Sequence, residues 1–125
     1  MKIINEYELN GDVTVAKLID SGFEKVESKY LFYVNKLLGN IILSIFIPLD
    51  ENKEVLSSEV VINLFDENFM QNVMPIDVLL MQDAQYAPDI IKNIGNDYNN
   101  KMNELVLKGI FNKVNNLEKE NNLRK

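Results

Sequence analysis

The chain contains no cysteine, no histidine and no tryptophan, and only one arginine, Arg124, against twelve lysines. Each absence closes off some chemistry. Without cysteine there is no disulfide framework, no thiolate nucleophile and no zinc finger or ribbon. Without histidine there is no imidazole base, no catalytic triad of the usual kind and no common transition-metal site. Glycine is sparse, and the five glycines (positions 11, 22, 39, 95 and 109) stand singly. No phosphate-cradling loop or dinucleotide fingerprint can be drawn through them. Long apolar runs are lacking too. The longest, Ile41 to Leu49, is interrupted by Ser44 and Pro48 and is far too short to span a bilayer. The opening MKIINEYELNGDVT has no apolar stretch behind Lys2, so it does not read as a secretory signal and the expected location is the cytoplasm.

What is present is enough for a core. The chain has 125 residues, 46% hydrophobic and 26% charged, which suits one folded domain. Asn10-Gly11-Asp12 predicts a turn with Asp12 as helix N-cap, followed by a short helix through Val15, Ala16, Leu18 and Ile19 that closes at Ser21-Gly22. Met1 to Leu9 is a candidate edge strand. From Lys29 the period changes to two: Tyr30, Phe32 and Val34 share one face of a strand, with Leu31 and Tyr33 on the other. After a turn at Leu38-Gly39-Asn40, Ile41 to Ile47 reads as a second strand, ended by Pro48. A third strand runs from Val60 to Phe65, and the three pair as an antiparallel meander. Ile76 to Met81 fits a strand or a helical turn equally. Beyond Pro88 the spacing of Ile91, Ile94, Tyr98, Met102 and Leu105 is helical, continuing through Ile110, Val114 and Leu117, with Gly95 as a point where the helix divides. The expected fold is therefore α+β: an antiparallel sheet of three to five strands with a short N-terminal helix and a long C-terminal helix on one face. Residues 1–111 read as the domain and 112–125 as a charged, Asn-rich helical tail.

Catalysis would have to rest on carboxylates, lysine or tyrosine. The acidic pairs Asp50-Glu51 and Asp66-Glu67 sit beside asparagine in expected turns, where no burial separates their pKa values. No catalytic residue, metal ligand or cofactor is assigned. Tyr30, Phe32, Tyr33 and Phe46 raise the idea of a base-stacking platform, but such platforms lie in a positive groove, and core packing is the better reading. Leu107, Ile110, Val114 and Leu117 fit a coiled-coil seam for about two heptads, a candidate for homo-oligomer formation.

Charge is more informative by position than by sum. The formal net charge of -6 argues against direct nucleic-acid binding. It is distributed as -3 over residues 1–58, -6 over 59–97 and +3 over 98–125. Between Lys53 and Lys92 no cation occurs, while Glu54, Glu59, Asp66, Glu67, Asp77, Asp83 and Asp89 all fall there. Such a stretch is either a solubility device or an acidic face that docks on a basic surface of another protein.

Asp20-Ser21-Gly22-Phe23, then Tyr30-Leu31-Phe32-Tyr33, an apolar strand, a late helix and eighteen asparagines resemble small proteins of prophages and mobile elements in low-GC Gram-positive bacteria. Tyr98 to Phe111 is similar to the closing helix of the MmcQ/YjbR proteins, without their basic residues there. Neither resemblance carries a functional residue across. The expectation is a non-enzymatic protein-binding module, a phage accessory protein whose acidic surface inhibits a host nucleic-acid enzyme or defence system. The alternatives are a phage assembly protein oligomerising through its C-terminal helix, and a domain binding a small molecule between helix and sheet.

Overall fold

β-Branched and aromatic residues dominate three of the segments that form strands, and polar turns separate them. The computed structural model describes residues 2–66, 80 and 83–114. Among these the elements are β1 (Tyr7–Leu9), α1 (Val15–Asp20), β2 (Glu24–Val26), β3 (Tyr30–Lys36), β4 (Ile41–Pro48), β5 (Val61–Asp66), α2 (Asp89–Leu107) and β6 (Phe111–Lys113). Two antiparallel sheets result, a four-stranded one in the order β2-β3-β4-β5 and a two-stranded one pairing β1 with β6. The architecture is α+β, as the periodicity predicts.

Strand alternation decides which residues face inward. Leu31 pairs with Ile47, and Tyr33 with Ile45, which in turn pairs with Ile62; Leu43 pairs with Leu64. Leu31, Leu43, Ile45 and Ile47 are fully buried, in one cluster with Ile94, Tyr98, Met102 and Leu105 of α2. Burial of each such side chain contributes about 1.5–3 kcal/mol. The N-terminal segment is tied to α2 by Asn99, whose Oδ1 accepts from the Asn5 N–H (3.0 Å) and the Tyr7 hydroxyl (3.3 Å) and whose Nδ2 donates to the Ile3 carbonyl (3.1 Å).

Gly95 does not divide α2. It lies inside the helix and is buried because Ile3 packs onto it, and a Cβ there would overlap the Ile3 Cγ2. The cap of α1 also differs from expectation. Thr14, not Asp12, is the N-cap, its side chain accepting from the Lys17 N–H at 3.2 Å. Asp12 instead uses its own N–H in a local turn to the Asn10 Oδ1.

The larger correction concerns the end of the chain. α2 stops at Leu107, because Gly109 adopts φ +78°, a left-handed conformation that glycine takes without penalty. The chain then reverses, and Phe111, Asn112 and Lys113 pair with Leu9, Glu8 and Tyr7. Residues 112 and 113, expected in a helical tail, are thus in a strand. The expected seam does not lie on one helix. Leu107 is on the helix and 88% exposed, Ile110 is past its end and fully buried, and Val114 is half-buried with its N–H bonded to the Glu6 carbonyl. Leu117 and the rest of 115–125 lie outside the described residues. So does the run Ile76 to Met81 apart from Leu80, which is fully buried.

Candidate protein-interaction surface

β2 and β3 are joined by Glu27, Ser28 and Lys29, with Glu27 and Ser28 both at positive φ (53° and 59°) and the Lys29 N–H bonded to the Val26 carbonyl at 3.0 Å. That signature belongs to hairpin turns of the type usually built from Asn-Gly. β2 was not expected, because Glu27-Ser28 lacks that signal. At the same end of the sheet, the β4–β5 connection is held by Asp50, whose Oδ1 accepts from the N–H groups of Asn52 (2.8 Å) and Glu54 (2.9 Å). Lys53 reaches across to donate from Nζ to the Ser28 carbonyl at 3.2 Å.

These connections place the acidic residues. Glu54 and Glu59 are exposed in the β4–β5 connection, at the end of the sheet that also carries Glu27 and Glu51. Asp66, half-buried, ends β5 opposite Ile41, at the other end of the sheet. Five residue rises of about 3.4 Å from Val61 separate it from the Glu59 end by about 17 Å. Asp83 pairs with Lys2 in an isolated antiparallel backbone bridge, and its carboxylate accepts from the Gln85 N–H at 3.0 Å, which holds its pKa below the usual carboxylate value. Asp89 is exposed in the first turn of α2. Glu67 and Asp77 lie outside the described residues. The described acids are therefore brought together in part only: Glu54 and Glu59 share one end of the sheet and Asp66 stands at the other.

The second face of the sheet is the feature that the sequence did not assign. Tyr30, Phe32 and Val34 of β3, Ile42 and Phe46 of β4, and Val61 and Phe65 of β5 point away from α2, and none belongs to the core cluster or packs against it. Val34 is 52% exposed and Val61 44%. Tyr30 and Phe46 pack against each other with centroids 4.6 Å apart and their planes tilted by 42°. The aromatics expected to be core are thus divided: Tyr33 faces inward against Phe23, while Tyr30, Phe32 and Phe46 face outward. Parity along β3 carried this information, but which parity faced the helix was not legible.

No protein-family model matches the chain, no curated protein matches it, and no solved structure matches it. Its surface is therefore the guide to its function.

A separate cleft of about 260 Å³ opens between the β1–α1 turn and the β4–β5 connection, lined by Asn10, Thr14, Val15, Lys53, Glu54 and Ser57 among others. It brings one cation, one anion and two hydroxyls together. Its place differs from the helix–sheet pocket expected for a small ligand. Among the described residues no group of three or more acidic side chains is placed to hold a metal ion, and no helix is long and apolar enough to cross a membrane.

Proposed function

We propose that this chain is a non-enzymatic protein-binding module that engages a basic surface on another protein. The observation that carries the proposal is the apolar outer face of the four-stranded sheet, solvent-facing at Val34 and Val61, beside an acidic end containing Glu54 and Glu59. Exposed apolar patches rimmed by charge are typical of protein-interaction sites, and acidic residues at the rim speed encounter with a cationic partner and orient it. In its concrete form the partner is a nucleic-acid enzyme or defence protein whose phosphate-binding surface is occupied, as an accessory protein of a mobile element would do. Affinity capture from a bacterial lysate at rising salt tests the reading. A partner released by salt, and lost with Glu54→Lys/Glu59→Lys, is the expected result; no partner, or binding indifferent to salt, overturns it.

The cleft at Thr14 and Lys53 favours a second reading, binding of a small polar molecule. A rise in melting temperature with one member of a metabolite panel, abolished by Ser57→Leu, would support it.

A further inference from the structure

We infer that the outer face of the sheet seats a cationic amphipathic helix supplied by the partner. The inference rests on the protein-binding reading above and deepens it by naming what the partner presents.

Register gives this face its relief. Phe32 pairs with Phe46 and Phe46 with Val61, a row raised by the two rings on β3 and β4. Two residues along, Val34 pairs with Ser44 and Ser44 with Asn63, a row of smaller side chains. Two residues further, Lys36 pairs with Ile42 and Ile42 with Phe65, raising the surface again. The relief is clearest on β4, where Ser44, only 9% exposed, lies between Phe46 and Ile42 in a shallow trough, and its row continues to Val34 on β3 and Asn63 on β5. The two walls are four residues apart along β4, about 13 Å between their backbones, so their side chains leave room for the apolar side chains of one helix face to insert and not for the full width of a helix, about 10–12 Å. The row of Val34, Ser44 and Asn63 crosses three strands, two inter-strand spacings or about 10 Å, so about two helical turns would cross it.

Charge selects the occupant. Glu24 lies on this same face, paired with Phe32, and is exposed. Glu27, Glu51, Glu54 and Glu59 stand exposed at the end of the sheet beyond the Phe46 wall, where Lys53 is turned to the Ser28 carbonyl. Lysines on the flank of a bound helix that faces the Phe46 wall would meet these carboxylates while the apolar stripe lies over the trough, with Lys36 on the opposite wall, the helix-in-groove mode of recognition. A second copy is a poorer occupant, since it would bring a net charge of -6 against another of -6. Nucleic acid would meet acids where phosphate needs cations.

The test uses the full chain and a synthetic peptide of about 14 residues, leucine on one helical face and lysine on the other, with a scrambled peptide of the same composition as control. Titration calorimetry and amide chemical shifts are the readouts. The amphipathic peptide should bind at least about tenfold more tightly than the scrambled one, with shifts centred on Val34, Ser44 and Asn63. Val34→Glu should weaken binding by about tenfold or more without lowering the melting temperature, because Val34 is already half exposed. Equal binding of both peptides, shifts centred elsewhere, or an unaffected Val34→Glu variant overturns the inference. So does a concentration-dependent dimer in sedimentation that Val34→Glu abolishes, which would assign the face to a second copy. A captured partner lost with Glu54→Lys/Glu59→Lys but retained by Val34→Glu leaves the protein-binding reading standing and removes the helix. Failure to capture any partner, with peptide binding intact, does the reverse.

Discussion

At the scale of single residues, Glu27, Ser28 and Lys53 depart from what their amino acids favour, all three at positive φ. Glu27 and Ser28 occupy left-handed backbone with ordinary side chains, at about 1–2 kcal/mol each. Replacing the pair by Asn-Gly should raise stability by about 1 kcal/mol in denaturant melts, since part of the relief is offset by the greater freedom of glycine when unfolded. Gly95 is the converse case. Alanine there would gain about 1 kcal/mol of helix propensity but drive its methyl into Ile3. Overpacking of this kind costs about 1–3 kcal/mol, more where backbone must move, so Gly95→Ala should be net destabilising in the same melts. The pH dependence of Asp83 belongs at this scale as well. Its carboxylate is favoured in the folded state by the Gln85 N–H, so its folded pKa lies below its unfolded value. The stabilisation it gives is complete above the unfolded pKa and fades as pH falls through the folded one. An NMR titration should place the Asp83 midpoint below the ordinary range of an aspartate carboxyl. Asp83→Asn should remove that pH-dependent increment from stability while leaving the rest of the acid limb unchanged.

At the scale of elements, legibility followed the local signal. β3, β4 and β5 could be read because their alternation and bounding turns are local properties of the chain. β2 escaped because three residues are too short to show a period and their turn lacks glycine or asparagine. β6 escaped for a different reason: Ile110, Phe111 and Val114 continue the helical spacing of α2, and only Gly109 signals the reversal. A strand of three residues is determined by its distant partner β1, not by its own pattern. The consequence can be measured. If the chain continued as a helix, Leu107 and Ile110 would be equivalent members of one seam. In the structure, Leu107 is exposed and Ile110 fully buried. Ile110→Ala should therefore cost about 2–5 kcal/mol in a denaturant melt, and Leu107→Ala no more than about 0.5 kcal/mol. Neither substitution should change the mass found by sedimentation, because the two side chains do not share an interface.

At the scale of the whole molecule, the acidic stretch that is continuous in sequence is not one surface in space. Position along the chain revealed a base-free run between Lys53 and Lys92, but the strand direction of β5 carries Asp66 away from Glu59 by about 17 Å. The Debye length is about 8 Å at physiological ionic strength, so charges at the two ends of the sheet, exposed at Glu59 and half-buried at Asp66, act on a partner largely independently. Glu59→Gln and Asp66→Asn each remove one negative charge, so a partner attracted by net charge alone would respond to both alike. A partner seated at the Glu54 and Glu59 end should respond differently. Its association rate should fall with Glu59→Gln, and the dependence of that rate on salt should become shallower. Asp66→Asn should leave both within error. Stopped-flow association over a salt series, with the captured partner, reads the two slopes directly. Equal slopes for the two variants would return the acidic residues to a general role in solubility. Unequal slopes would assign the encounter to one end of the sheet, the end at which the outward aromatic row of Phe32 and Phe46 begins.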